Sequence, residues 1–311
     1  MITDLFSLTV IVGVLTSGVR LATSYIYAAI GETFGQISGV LNLGVEGIML
    51  VAAYAAYYTV LQTGDPWLGL LSAIIVGGVM GLGTAFISVT LKAEQGISGI
   101  GIYLFGLGLS DLLYRITIKS PQTVKGFTDI QIPVLTDLPI IGPIFFQQNL
   151  LVYIAFALVP IAWWVLNKTT FGLQVRAVGQ NPEAADTLGI SVARVRYITV
   201  IIGGVFAGLS GASLSIALLN VFQQNITSGQ GFIAVALVYF GAWNPFRVLL
   251  GCLLFSMVNA LQLWIQVLNI PIPSDLALMM PYILTIVALM FAARQVIAQP
   301  AALTKPFERG E

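Results

Sequence analysis

Between residues 5 and 297 the chain is a succession of apolar runs about 20 residues long, broken by short polar or glycine-rich stretches. A run of that length with few or no charges matches the hydrocarbon core of a bilayer. A backbone that crosses lipid must satisfy its own hydrogen bonds, which favours helices. The candidate spans are 5–29, 44–62, 67–91, 97–113, 148–167, 197–219, 230–243, 245–268 and 276–297. Charged residues make up 8% of the 311, against about a quarter in a soluble domain, so the chain lacks the polar surface to stay in water. Its 32 glycines suit close helix–helix approach in lipid. The expected fold is an all-α polytopic membrane protein, one transmembrane domain over 1–311, with about 8–10 membrane helices.

Two stretches depart from the pattern. Residues 230–243 ("QGFIAVALVYFGAW") are short for a full crossing, and 31–43 ("GETFGQISGVLNL") are too polar and glycine-rich to face lipid. Irregular backbone at membrane depth is tolerated only where it is buried in protein or faces a wet cavity, so both are expected to be broken or re-entrant and to line a pathway. A faint echo joins them. "GQISGVLNLGVEGIMLVAA" and "GQGFIAVALVYFGAWNPFRVLLG" each place a glycine-rich start before an apolar run, as in transporters whose repeats meet at a central site. Whether 31–43 crosses, and hence the side of the N-terminus, is open at this level.

Composition excludes several chemistries. With no His and one Cys, a His- or Cys-based metal site and an internal disulfide are both excluded, and Cys252 reads as a buried, inert thiol. A net charge of zero gives no reason to expect nucleic acid as a partner. The start, Met1 to Asp4 before an apolar run, lacks the basic opening of a cleavable signal. Without clustered carboxylates there is little on which to build an enzyme. Orientation follows from basic residues. If 168–197 is cytoplasmic, then Lys92, Lys168, Arg176, Arg194, Arg196, Arg247, Arg294, Lys305 and Arg309 lie on that side, against Arg115, Lys119 and Lys125 on the other. The proline- and glycine-rich loop 114–147 is then extracytoplasmic, either a cap or docking surface or a plain connection.

The longest polar passage in the second half, "TFGLQVRAVGQNPEAADTLGIS" (169–190), has strong local signals. Asn181 suits an N-cap, Pro182 the first helical position and Glu183 the first turn. Gly189 can take the left-handed conformation that closes a helix, and Ser191 can cap the next one. Ala184, Ala185 and Leu188 are expected to form a small apolar face able to enter a partner's groove. The alternative is an ordinary helical loop.

Three blocks carry a family resemblance. "GQNPEAADTLGIS", with Gly179, Asn181, Ala184, Ala185 and Gly189, resembles the coupling loop of ATP-binding-cassette importer permeases of the simple sugar/nucleoside branch. "GETFGQISGVLNLGVEGIMLVAAYAA" is similar to the nucleoside-type permeases of that branch, and "GFIAVALVYFGAWNP", followed by "LMMPYILTIVALM", resembles their C-terminal region. The resemblance implies a multi-pass subunit of a bacterial cytoplasmic (inner) membrane importer. It would pair with a second permease, as a heterodimer, over two ATPase subunits and would receive substrate from an extracytoplasmic binding protein. The residues docking into the ATPase would be Gly179, Asn181, Pro182, Glu183, Ala184, Ala185, Leu188 and Gly189. The chain has no Gly-x-x-x-x-Gly-Lys-Ser/Thr loop of its own, so it carries no cofactor and ATP would be bound by the partner.

Candidate pathway residues fall in two groups. Asn42 and Glu46, four apart, are expected to make a polar pair on one helical face, either lining the pathway or pinning a broken helix; Arg20 could pair with Glu32 or Glu46. Ser256, Asn259, Gln262 and Gln266 recur at helical spacing and form a stripe facing a cavity or a neighbouring helix, with amides able to bind sugar hydroxyls or base edges. Tyr25, Tyr27, Tyr239, Trp243 and Trp264 either stack on a flat base or serve as interface aromatics. Gly204 and Gly208 read as a helix-packing face. The expected cargo is a nucleoside or related purine compound. The alternatives are a ribose-like sugar or an ion-coupled carrier, which would call for paired intramembrane carboxylates among Glu32, Glu46 and Asp111.

Overall fold

The computed structural model describes residues 7–118, 122–131, 133, 135, 136, 138–268, 273, 276, 279–281, 283, 284, 286, 287, 290 and 299–308. Seven helices among them are long and apolar enough to cross a membrane: α1 (Leu8–Ile37), α2 (Val45–Thr63), α3 (Pro66–Ala85, prolonged to Thr90 by a π-helical turn), α4 (Gln95–Thr117), α6 (Leu150–Lys168), α9 (Val192–Ser213, prolonged to Leu218 in the same way) and α11 (Pro245–Val267). Shorter elements are β1 (Asp129–Gln131), α5 (Ile141–Phe145), β2 (Gln147–Asn149), α7 (Thr170–Gln180), α8 (Pro182–Thr187) and α10 (Gln230–Phe240). The expected span 276–297, with its "LMMPYILTIVALM" motif, lies largely outside the described residues, as do Lys119, Arg294 and Arg309.

Local chemistry sets most helix starts. Helices α1, α3, α6, α8, α9 and α11 each begin on a Ser, Asp or Asn whose side-chain oxygen accepts a backbone N–H of the first turn. Proline follows the cap in α3, α8 and α11, where its missing N–H costs nothing.

Glycine contacts then join the helices. A Cβ on Gly77 would overlap the Gly204 carbonyl, and one on Gly208 the Ala73 carbonyl, so α3 and α9 touch backbone to backbone. Gly211 meets Met49 of α2 in the same way, and Gly106 of α4 meets Gly47. In lipid, where apolar side chains gain little by leaving their surroundings, such close approach is a main source of helix association.

The two ends of the bundle differ. One carries the antiparallel pair β1–β2, in register Asp129↔Asn149, and the stretch 122–127, whose Val124 and Phe127 N–H groups bond the Asn220 and Ile216 carbonyls at 2.9 Å. The other carries α7, α8 and residues 299–308, which are tied together by the Ala302 N–H to Gly179 carbonyl bond at 2.9 Å. Helix α1 links the two: near its middle Arg20 meets Asp129, and at its last residue Ile37 meets Gly179.

Two boundary expectations change. Residues 31–37 are not a separate irregular segment: they complete α1, which at 30 residues is about 45 Å long. The break is at 38–44. The polarity of this stretch is tolerated because every residue from Gly31 to Val40 is buried in protein. In the second broken region, α10 spans only 11 residues, about 16 Å, half of a roughly 30 Å core. The irregular stretch 219–229 precedes it, with Phe222 packed among Tyr54, Tyr57 and Tyr114 and with Thr227 fully buried.

Candidate substrate pathway and coupling surface

Glu46 sits in the first turn of α2 with no exposed surface. Its carboxylate accepts the Thr227 hydroxyl at 2.5 Å, the Gly229 N–H at 2.7 Å and the Gly231 N–H at 2.6 Å. The two N–H groups are among the donors that the start of α10 leaves unsatisfied, and the positive end of the helix dipole adds to their pull on the acidic group. Gly229 has φ +86°, a left-handed turn that glycine adopts at no steric cost. A Cβ on Gly231 would lie 2.6 Å from the Glu46 backbone, so no other residue permits this approach.

The expected polar pair on one helical face is not formed. Asn42 precedes α2, in the break, and its side-chain oxygen accepts the Gly44 N–H at 2.9 Å while its own N–H bonds Glu32 at 3.0 Å. Glu46 therefore pins a broken helix. Arg20 does not pair with Glu32 or Glu46: it lies near the middle of α1 and bonds Asp129 and the Gln147 and Gln148 pair of β2. Asp111, the third carboxylate considered at membrane depth, is held by Arg115 at 3.0 Å and by Gln224.

The far end of α10 is fastened to α1. The Trp243 indole N–H donates to Gln36 Oε1 at 2.9 Å, and Gln36 Nε2 approaches Glu32 at 3.3 Å and the Val235 carbonyl at 3.5 Å. Ala242 and Trp243 both hold left-handed φ values, 52° and 55°, which turn the chain sharply towards α11.

Beside the pinned start of α10 lies a cavity of about 170 Å³, lined by Tyr25, Gln230, Phe255, Asn259 and Gln262, together with Ser228, Ile233 and Pro281. Tyr25 and Phe255 meet edge to face with ring centroids 5.4 Å apart. Gln230 accepts the Ser24 hydroxyl at 2.7 Å, and Asn259 reaches the Tyr25 hydroxyl at 3.5 Å. The expected stripe on α11 therefore divides. Asn259 and Gln262 reach the cavity. Ser256 is buried and bonds the Leu253 carbonyl of its own helix at 2.9 Å, and Gln266 is exposed. Among the aromatics, Tyr25 lines the cavity. Tyr27 donates to the Leu151 carbonyl at 2.7 Å, Trp264 to Ser17 at 3.2 Å, and Tyr239 packs on Trp243. Sequence reasoning missed Gln36, Thr227, Gly229 and Gln230. The sequence signals were the glycine-rich opening "TSGQG" (227–231) for the last three and, for Gln36, its place in the polar 31–43 stretch.

At the other end, α8 has the expected local form. Asn181 accepts the Ala184 N–H at 2.9 Å, and Gly189 has φ +83°. Its apolar face differs from expectation. Ala185 is 2% exposed and turned into the chain's own core, whereas Ala184 is exposed and Leu188 is 81% exposed. A helix places i and i+4 on one face and i+1 about 100° away, so Ala184 and Leu188 point outward together. Glu183 is exposed beside them, and a groove of about 620 Å³ separates Asn181, Pro182 and Glu183 from residues 301–308. Arg196, counted with the charges of this end, is fully buried there and donates to the Ser38 carbonyl at 3.2 Å and the Lys305 carbonyl at 3.0 Å.

Over residues 14–289 the sequence matches the family described as branched-chain amino acid transport system / permease component. It is 36% identical over 96% of its length to a putative glucose ABC transporter permease protein, TsgC13, of Haloferax volcanii, covering 98% of that protein. It is 39% identical over 86% of its length to the guanosine ABC transporter permease protein NupQ of Bacillus subtilis, covering 88%. It is 35% identical over 90% of its length to the nucleoside ABC transporter permease protein NupC of Lactococcus lactis, covering 92%.

Proposed function

Since the chain belongs to the branched-chain amino acid transport system / permease component family, and is thus a multi-pass membrane-transport permease rather than an enzyme, we propose that it carries a nucleoside or related purine compound into the cell. Energy comes from ATP hydrolysed by a separate subunit. The observation that carries the cargo assignment is the cavity beside α10. It combines three amides, which can each donate and accept, with the rings of Tyr25 and Phe255. That mixture suits a flat heterocycle with a polar edge and an attached sugar. The similarity to guanosine and nucleoside permease proteins supports the same reading, and the similarity to a glucose permease protein supports a simple sugar as the second reading.

In this reading the chain lies in the cytoplasmic membrane with α7, α8 and residues 299–308 facing the cytoplasm. The ATPase grips α8 through Leu188, Ala184 and Glu183. An extracytoplasmic binding protein delivers cargo at the β1–β2 end. A second permease subunit completes the translocation path, and the open helical glycines Gly83, Gly101 and Gly108, which no neighbour among the described residues approaches, suit contact with another helix. Against an ion-coupled carrier stand the occupied carboxylates: Glu46 is engaged by three donors, Glu32 by Gln36 and the Asn42 N–H, and Asp111 by Arg115 and Gln224.

The test is uptake of labelled guanosine and adenosine by cells expressing the chain with its ATPase, second permease and binding protein, in competition with ribose, glucose and free purine bases. Uptake that fails on ATP depletion, survives collapse of the proton gradient and is blocked by nucleosides or bases but not by sugars is the expected result. Competition by sugars alone would transfer the protein to the sugar reading.

A further inference from the structure

The irregular segment that follows α1 touches the coupling hairpin at one end and the cavity helix at the other. At the coupling end, a Cβ on Gly179 would overlap the Ile37 carbonyl, so α7 and the end of α1 move together or collide. Ser38 is held from α9 by the Arg196 guanidinium at 3.2 Å and by the Thr199 hydroxyl at 2.8 Å, and the Gly39 carbonyl accepts the Thr304 N–H at 3.2 Å. Immediately before Ile37 on α1, Gln36 holds Trp243 at the cytoplasmic end of α10 in the orientation proposed above. Across the break, Glu32 holds the Asn42 N–H, and Glu46 then holds the other end of α10 through three bonds of 2.5–2.7 Å. Glu46 cannot give way backwards. Gly47 abuts the Ile102 carbonyl and Tyr103 of α4, where an added Cβ would lie 2.6 and 2.7 Å from their atoms. Gln230, between the two glycines that Glu46 holds, lines the cavity.

We propose that Gln36 and Glu46 are positioning residues that clamp the two ends of α10 to the 32–46 segment, so that displacement of the coupling hairpin at Gly179 arrives as displacement of Gln230 in the cavity. The inference rests on the permease reading above. Packed elements have few intermediate arrangements, so a helix held at both ends follows its support as a body. Capping alone would account for the bonds at the start of α10. It does not account for a side chain of α1 bonding the far end of the same helix, nor for the wedge of α4 behind Glu46.

Three variants test it in the complete complex reconstituted with its ATPase, second permease and binding protein. Trp243→Phe removes the indole N–H with the smaller of the two rings and keeps a six-membered aromatic ring at the position. Glu46→Gln leaves one acceptor oxygen and sets an N–H₂ against an N–H. Glu46→Asp keeps both acceptors on a shorter stem. The ATP hydrolysis rate should stay within about twofold, while nucleosides carried per ATP should fall about tenfold in Trp243→Phe and Glu46→Gln, the scale of one lost hydrogen bond to a charged or buried partner. Glu46→Asp should recover part of the loss. An unchanged ratio in both Trp243→Phe and Glu46→Gln overturns the proposal.

A second readout needs no substrate: amide hydrogen exchange on the purified full chain in detergent. Trp243→Phe should speed exchange at 227–231, at the opposite end of α10, as well as at 238–244. A rise confined to 238–244 overturns the clamp. If the wild-type complex carries no nucleoside, the cargo reading fails, and the exchange result still decides the clamp.

Discussion

Gly179 and Ile37 are packed so closely that a single methyl group on the glycine would overlap the isoleucine carbonyl oxygen. The glycine's own carbonyl meanwhile accepts the Ala302 N–H at 2.9 Å, so the residue joins α7, the end of α1 and the 299–308 segment at one point. Gly179→Ala should therefore shift backbone rather than a flexible side chain. Overpacking of this kind costs about 1–3 kcal/mol. Thermal unfolding of the detergent-purified chain should show a lower midpoint, and the ratio of uptake to ATP hydrolysis should fall with it. An unchanged midpoint would mean that the contact relaxes freely.

Leu188 is 81% exposed on the face of α8 that points away from the chain, whereas Ala185 is buried. Leu188→Glu should change the stability of the isolated permease by no more than about 0.5 kcal/mol, as for other exposed positions. It should also reduce the amount of ATPase that co-purifies in mild detergent. Glu183→Arg should uncouple ATP hydrolysis from transport without affecting the fold. Gly189→Val acts differently: a β-branched residue at φ +83° carries a backbone cost of about 1–2 kcal/mol, so lowered stability should accompany its uncoupling. Full ATPase recovery with Leu188→Glu would remove α8 as the docking element.

Asn259 and Gln262 line the cavity, and Gln266, on the same helix, is exposed outside it. Asn259→Ala should raise the KM for nucleoside uptake about tenfold, the scale of one lost hydrogen bond to a polar ligand, with little change in maximal rate. Gln266→Ala should leave both unchanged. Equal effects of the two substitutions would argue that the stripe serves helix packing and not the cargo.

Glu94 caps α4 by accepting the Ile97 N–H at 2.5 Å and the Gly96 N–H at 3.0 Å, and these bonds, the first most of all, hold its carboxyl below the usual carboxylate range. A group whose folded value is depressed stabilises the fold above its unfolded value, about 4.3, and loses that contribution as pH falls through the folded value. Wild type should therefore melt above Glu94→Gln at neutral pH, and the gap should close on acidification below about pH 4. A gap that stays constant with pH would show that the charge is not what caps the helix.

The α8 hairpin could be read from the sequence because everything that makes it is local. Asn181 bonds a residue three positions on, Pro182 fixes its own φ, and Gly189 supplies its own left-handed turn. The spans were readable for a similar reason, since bilayer thickness acts on each run separately. The side to which α8 shows its residues was not local. Ala185 and Leu188 are both apolar, and only the packing of the chain's own core buries the first and exposes the second.

Glu46 shows the same division more sharply. From the sequence alone it had to be an ionisable residue that needs protein or water around it, because a charge at membrane depth is costly. Its nearest polar neighbour in sequence, Asn42, was the natural partner to expect. The fold instead supplies Thr227, Gly229 and Gly231, more than 180 positions away, and sends Gln36 to Trp243 over a similar separation. The sequence by itself determined the membrane class, most of the long apolar helices and the α8 hairpin, since each follows from side-chain chemistry within a few turns. Only the tertiary structure decided which polar groups line a cavity and which hold a broken helix in place. Those roles depend on which distant backbone donors and acceptors the packed glycine surfaces bring within 3 Å, and no local periodicity records that.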